Sequence, residues 1–552
     1  MNEESTSQPE MKKPFWRKWA PVFVLALALA IIIIDTTLLN VSLSYVIRDL
    51  KTDIQSIQWV ITAYSLTLAA LMITGGRLGD LYGRKKMFIL GAILFAVGSF
   101  IASISQNVGT MIAGESIIEG IGAALMMPAT MSLLVSTYRG RDRAIAMGMW
   151  GGIAAASSAV GPILGGYLTS NYSWRWGFRI NVFVAALLIL ASPLVIGSRD
   201  EEEKSKLDFF GVILSSLGML GIVFGIIEST TYGWWKAKEA FVFFGHTLTL
   251  NGYSIVPFSL VLGLTLLVLF GLWQNKISKN GGTPLVSLNI FKNGQFTSSV
   301  AVTAIMAIGQ TGIIFSLPVF FQAVRGLDAY HTGLAFLPMS LTAVVAAPIS
   351  AILGRKFSAK RVIQVGFFCT VISTILIYRT LGINAGAADF IPAMVFYGIG
   401  LGASMSLLSN MTLSAVSVQE AGEASGVSNT FRQLGATFGA AIVGAALLTA
   451  LSTNLVKGIN NSKVIPTVAK PQFVQIISTQ DSNVEFGGGA QIPGNISPAI
   501  AAEITRISHE ATTDSNKVAV TYTGLFAILG FIFTFFLPNR RNLEQNVSVA
   551  AH

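Results

Sequence analysis

The chain has 552 residues, 52% hydrophobic and 12% charged, with a mean hydropathy of +0.64. Soluble domains carry about 25% charged residues, so the composition argues against a soluble enzyme and for a polytopic membrane protein. The net charge of +10 sits between apolar runs, which reads as loop charge at one membrane face rather than a nucleic-acid footprint. The one cysteine, Cys369, excludes an internal disulfide and a thiolate cluster.

The opening stretch "MNEESTSQPEMKKPFWRKWAP" is long and polar, and no small-residue cleavage site follows. The first apolar run therefore reads as a retained helix rather than a signal peptide. A span needs about 20 apolar residues. Such runs lie near 22–46, 57–78, 87–105, 109–134, 144–169, 177–197, 208–228, 254–273, 296–320, 332–353, 362–380, 388–412, 425–450 and 518–537, which predicts fourteen helices. The basic stretches "GRKKM", "YRGRDR", "SRDEEEKSK", "QNKISKN" and "GRKFSAKR" occupy alternate connections. Lys12, Lys13, Arg17 and Lys18 precede the first run, and Arg540 and Arg541 follow the last. The positive-inside rule places all of these, and both termini, in the cytoplasm.

The runs divide into a cytoplasmic tail 1–19, a six-helix bundle 20–200, two linking helices with their loops 201–293, a second bundle 294–537 and a cytoplasmic tail 538–552. The long polar connection 452–517 is extracellular by parity and reads as a variable surface loop. Its stretch "SPAIAAEITRISHEATTD" can form a helix.

Several short stretches carry chemistry. "IDTTLLNVSL", 34–43, puts Asp35 midway along helix one. "GRLGDLYGRKK", 76–86, joins helices two and three. There Gly76 and Gly83 allow a tight turn and Asp80 can cap or ion-pair, while Arg84, Lys85 and Lys86 hold the turn in the cytoplasm. "MIAGESIIEGIGAALMMP", 111–128, carries Glu115 and Glu119 on one face of helix four. An ionised acid at mid-bilayer costs about 2.5–3.5 kcal/mol on insertion scales, so such residues face a wet cavity or a partner. There they can hold a proton near neutral pH and release it when hydrated. The alternative is that the pair lies at the outer interface and is simply hydrated. Glu228, at the outer end of helix seven, reads as water-facing. "WGGIAAASSAVGPILGG", 150–166, is a helix of small residues suited to close packing in lipid, with Pro162 able to bend it.

The loop with Gly76, Asp80, Gly83 and Arg84 resembles the signature loop of the major facilitator superfamily, with Leu81 where the family usually has a basic residue. "GRKFSAKR", 354–361, is a degenerate copy without the Asp in the corresponding place of the second half, as expected of transporters built from repeats. Gly161-Pro162 followed by Gly165-Gly166 resembles the family's antiporter signature, found in exporters. "IDTTLLNVSL", "SWRWGFRIN" at 173–181 and "GEASGVSNTFRQLGATFG" at 422–439 resemble motifs of the fourteen-helix drug:proton antiporters. The resemblance implies an all-α major facilitator fold: two six-helix bundles with two inserted helices, in a monomer. It implies a multi-pass protein of a bacterial plasma membrane that exports amphipathic, cationic small molecules against protons. Asp35, Glu119 and Glu115 would handle the proton or substrate, and Gly76, Asp80, Gly83 and Arg84 the conformational switch.

The same resemblance leads one to expect an arginine in helix four, where Ser116 stands. Either the coupling is rebuilt on the glutamates, or another cation such as Arg179 compensates. On an α-helix Glu119 would lie about 60° from Ser116 and Glu115 about 100°, which favours Glu119. Trp59, Tyr64, Met126 and Met127 are candidate cavity residues, with packing or lipid contact as the alternative. Arg432 is a fifth, with helix capping near the cytoplasmic end as its alternative.

No P-loop is present, so ATP-driven transport is not indicated. His246, His331, His509 and His552 form no metal-ligand pair, so neither metal nor cofactor is expected. The expected partners are a small-molecule substrate, protons and the lipid bilayer, with no nucleic acid. Two rival readings are export of one physiological solute (a lipid, peptide or siderophore) and a non-transporting sensor or scaffold. The intact loop and Gly-Pro motifs argue against the second.

Overall fold

Among the residues described by the computed structural model, 15–52, 54–195, 207–243, 246–248, 250–479 and 497–539, every apolar run is helical. Lys12, Lys13, "SRDEEEKSK", "EFGGGAQIPGN", Arg540 and Arg541 lie outside the described residues. In lipid each backbone N–H and C=O must be satisfied within its own segment, which makes a helix of each run. The first half comprises α1 (Phe15–Leu50), α2 (Ile54–Tyr82), α3 (Arg84–Ser103), α4 (Val108–Thr137), α5 (Gly140–Asn171) and α6 (Arg175–Ala191). Two further helices follow, α7 (Phe209–Ile227) and α8 (Ile255–Lys279). The second half comprises α9 (Gly294–Ala323), α10 (Leu337–Phe357), α11 (Ala359–Thr380), α12 (Ile391–Leu413), α13 (Ala421–Asn461) and α14 (Pro498–Phe533). Among the described residues thirteen helices are long and apolar enough to cross a membrane, and α5, 32 residues long, packs among them.

The two halves repeat one packing scheme. In the first, α1 packs on α5, α3 on α4 and α6, and α2 on α4. In the second, α9 packs on α13, α11 on α12 and α14, and α10 on α12. The halves meet through equivalent helices: α5 crosses to α10 and α12, while α13 crosses to α2 and α4. Small residues permit these approaches, since without a hydrophobic force between helices in lipid, close van der Waals contact has to hold them. A Cβ on Gly161 would lie 3.0 Å from the Ile34 carbonyl oxygen on α1, and one on Gly439 would lie 2.5 Å from the Ile308 carbonyl oxygen on α9.

Helices α7 and α8 pack mainly on each other, and α7 docks on α2, where Ser216 donates to the Ala70 carbonyl at 3.0 Å. Asp208 fastens the pair at one end, accepting from Gly211 N at 2.9 Å and Gln274 Nε2 at 2.8 Å. Between them, Phe241–Phe243 and His246–Leu248 form a two-stranded antiparallel hairpin. Glu228, expected to face water, is instead 7% exposed in this connection, and burial lifts its carboxyl above the ordinary range.

The connection 452–517 is not a loop for most of its length. Helix α13 continues to Asn461, Lys470–Thr479 is helical, and α14 begins at Pro498. The extensions hold each other through Leu451, Leu455, Ile459, Ile507 and Ala511. The sequence there is too polar to read as a span, yet this local apolar seam keeps it helical.

The α2–α3 turn and its copy have the same backbone. Gly83 sits at φ 97° and ψ 123°, and its N–H bonds the Gly79 carbonyl at 3.0 Å. Ser358 sits at φ 123° and ψ 143°, and its N–H bonds the Gly354 carbonyl at 3.1 Å. A side chain in this region costs on the order of 1–3 kcal/mol. Ser358→Gly should therefore raise the thermal stability of the detergent-solubilised protein and Gly83→Ser should lower it. An unchanged melting temperature for both variants would contradict the shared strained geometry.

Candidate functional site

Three acids converge inside the first half. Asp35 of α1, and Glu115 and Glu119 of α4, are 2%, 2% and 0% exposed. One amide group bridges two of them: Asn181 Nδ2, on α6, donates to Asp35 Oδ1 at 2.6 Å and to Glu119 Oε1 at 3.3 Å. Asp35 Oδ2, Glu115 Oε2 and Glu119 Oε2 are buried without a hydrogen-bond partner, as is the hydroxyl of Tyr64 on α2. Tyr64 is within electrostatic reach of all three carboxyls. Among the described residues no Lys, Arg or His pairs with any of the three acids.

The compartment has a structural signature in α4. Residues Ile112–Glu119, which include both glutamates, form a π-helical segment within the helix. Such segments widen the turn and recur at functional sites. The α-helical angles expected between Ser116 and the two glutamates therefore do not apply. Gly98 lets α3 press against this segment, for a Cβ there would lie 2.4 Å from Glu119 N. Ser116, at the position of the missing arginine, donates to the Val60 carbonyl of α2 at 2.7 Å. Arg179 does not replace that arginine. Its guanidinium lies 5.2 Å from the centre of the Trp176 ring, while Asn181 reaches the acids. Neutral Asn181 stands within the quoted "SWRWGFRIN" stretch, where nothing local singles it out.

A second cluster joins the halves at the end that carries the α2–α3 turn. Asp80 Oδ1 accepts from Arg84 Nη2 at 2.8 Å, and both side chains are almost fully buried. The carboxylate also accepts from the backbone N–H groups of Gly422 at 3.2 Å and Glu423 at 2.8 Å, in the first turn of α13. An anion at a helix N-terminus is favoured by the helix dipole and the free N–H groups. Arg84 Nη2 in turn donates to the Val418 carbonyl at 2.5 Å and the Gln419 carbonyl at 3.1 Å, just before α13. Gly76 allows this contact, because its Cβ would lie 2.4 Å from the Gly422 carbonyl oxygen. Glu423, 4% exposed, extends the cluster by accepting from Ser287 N.

The glycines of α5 serve α1. Gly161 faces Thr37 and Gly165 faces Leu38, so α5 presses on the turn of α1 just after Asp35. Gly166 is buried, and Pro162 lies within the helix.

A narrow cavity lies where the halves meet, lined by Met131, Trp150, Met306, Met405, Asn429 and Arg432 among others. Of the expected cavity residues only Arg432 lines it. Met127 sits behind it, with its sulfur 3.4 Å from Arg432 Nη2. Met126 is 0% exposed and packs at Gly91 of α3. Trp59 stacks on Phe224 of α7, ring centres 6.1 Å apart, and Tyr64 faces the acids. The acids do not line this cavity.

Residues 25–440 match the Major Facilitator Superfamily. The chain is 29% identical over 439 residues to "Probable actinorhodin transporter" of Streptomyces coelicolor, covering 78% of this chain and 72% of that one. It is 26% identical over 519 residues to "Multidrug transporter protein MdtP" of Bacillus subtilis, covering 91% and 90%. The solved structure of the proton:xylose symporter XylE superposes with a TM-score of 0.54 over 96% of this chain and 98% of that one, at 12% identity, a likeness of fold. A match that spans both helical halves, together with the repeated packing, gives the family: this chain is a multi-pass membrane transporter of the Major Facilitator Superfamily.

Proposed function

We propose that this protein is a proton-coupled antiporter that exports amphipathic small molecules by alternating access. The observation that carries this reading is the closed compartment of Asp35, Glu115 and Glu119, which holds three acids, one bridging amide and, among the described residues, no cation. Charge buried without a counter-ion is costly, so the compartment is best relieved by protons arriving and leaving as it opens to water. The names of relatives, among them a resistance and export protein and a multidrug efflux pump, support export as the direction and drugs as cargo. The basic loops support a cytoplasmic location for both termini in a bacterial plasma membrane. A second reading, export of one dedicated compound, is supported by relatives named for single antibiotics.

The cluster of Asp80 and Arg84 fits the part of a switch. It fastens α2 and α3 to the start of α13 at the end expected to be cytoplasmic, and it must release for that end to open. Removing one partner of a buried ion pair costs about 3–5 kcal/mol, enough to shift a balance between two conformations.

In everted vesicles, transport of a panel of cationic, neutral and anionic amphipathic probes should stop when a protonophore collapses the gradient. Transport that survives the protonophore but fails on ATP or sodium depletion would contradict proton coupling. Glu119 shares Asn181 with Asp35 whereas Glu115 does not, so Glu119→Gln should remove gradient-driven transport and Glu115→Gln only weaken it. Wild-type rates from Glu119→Gln would take Glu119 out of the coupling. Asp80→Asn should slow transport while leaving equilibrium substrate binding within about threefold, roughly 0.65 kcal/mol. A much larger loss of binding in folded protein would assign Asp80 to the substrate instead.

A further inference from the structure

The cavity between the halves is lined by one guanidinium, Arg432, and by no carboxylate. Its body is largely apolar, made by Met131, Met306, Met405 and Leu408. Arg432 brings a half-buried guanidinium into it from α13. That group has neutral neighbours only: Asn429 Oδ1 at 3.2 Å and the Met127 sulfur at 3.4 Å from Nη2. Among the described residues no carboxylate pairs with it. Trp150, on the facing wall from α5, is 1% exposed, and its indole N–H has no acceptor.

Both features are costly as they stand. An ionisable side chain inside the membrane needs a partner, and a buried donor without an acceptor forfeits about 1–3 kcal/mol. The acids do not answer this need. Glu119 is eight residues along α4 from Met127, about 12 Å at 1.5 Å per residue, and its carboxyl is bonded to Asn181 instead. The lining holds hydroxyl and amide oxygens but no carboxylate, so a charged acceptor has to come with the cargo.

We propose that Arg432 and Trp150 form the charge-recognition subsite of the substrate cavity, and that it takes amphipathic anions: an apolar aromatic body carrying a carboxylate or phenolate. The methionines hold the body, since their flexible side chains adapt to varied shapes. The guanidinium and the indole N–H hold the charged oxygen atoms, as charge-assisted hydrogen bonds. This assignment rests on the reading of the protein as an exporter, and it replaces the cation preference expected from the sequence.

The test uses purified full-length protein in detergent and three probes with one ring system: 2-naphthoate, neutral 2-acetylnaphthalene and 2-naphthylmethylammonium. Equilibrium dialysis should show naphthoate binding about tenfold or more tighter than the ammonium, the worth of one hydrogen bond to a charged group. Arg432→Gln should bring the two within about threefold, and Arg432→Lys should keep part of the preference because it keeps the charge. Trp150→Phe removes the N–H together with the five-membered ring, so its loss of fit is common to all three probes, and it should weaken naphthoate by a further factor of about threefold to tenfold relative to the ammonium. It decides the matter if Arg432→Gln does not fold. Equal or tighter binding of the ammonium, binding of none of the probes, or an undiminished naphthoate preference in a folded Arg432→Gln overturns the assignment. The same probes in everted vesicles separate the two claims. Gradient-driven transport that favours the ammonium refutes the anion subsite and leaves the exporter standing, whereas transport of every probe indifferent to the gradient refutes the exporter.

Discussion

Three carboxyls confined with one neutral amide form the constraint around which the first half is arranged. Asn181 Nδ2 bonds both Asp35 and Glu119, so α1, α4 and α6 have to converge at one depth. The convergence demands close helix approach on every side, and the small residues supply it. Gly98 admits the π-helical segment of α4 against α3, and Gly161 and Gly165 admit α1 against α5. Leaving buried polar atoms unpaired is expensive, and the unpaired oxygens of Asp35, Glu115 and Glu119 mark where that expense falls.

The internal repeat explains how this compartment can be tied to movement elsewhere. Helices α5 and α13 hold equivalent places, each crossing from its own half to the other. Helix α5 leans on α1 just beyond Asp35, and α13 receives Asp80 on its first turn and carries Arg432 further along. A change in the packing of either helix therefore bears on the acids, the Asp80–Arg84 cluster and the cavity together. Packed interfaces of this kind tend to have discrete arrangements rather than to deform continuously. That property suits a carrier that must open to one side at a time.

Much of this was legible in the sequence because the forces concerned are local. Bilayer thickness imposes an apolar run for each crossing, so the helices could be counted. The Asp80–Arg84 pair is four residues apart, and its loop spacing is visible in one line. Long-range placement was not legible. Asn181 lies 146 residues from Asp35 and 62 from Glu119, and a lone Asn within an aromatic stretch carries no local sign of its partners. Trp59 could not be assigned to α7 rather than a cavity, because only the fold brings Phe224 beside it. Within the connection 452–517 the helix over "SPAIAAEITRISHEATTD" was legible, but the continuation of α13 to Asn461 and the helix Lys470–Thr479 were not, because polarity there hides the membrane signal while a seam of Leu451, Leu455, Ile459 and Ile507 still holds the helices together. The π-helical turn in α4 depends on how α3 packs, which composition does not report.

The central claim is that the buried acids exchange protons as substrate comes and goes. Its most direct measurement is the proton release that follows addition of a transported probe to purified protein in weakly buffered solution, read with a pH indicator. The wild type should release protons in proportion to bound probe, and the double variant Asp35→Asn/Glu119→Gln should bind the probe with no release. Undiminished release from that double variant would show that the protons come from elsewhere and that the compartment is a structural feature alone.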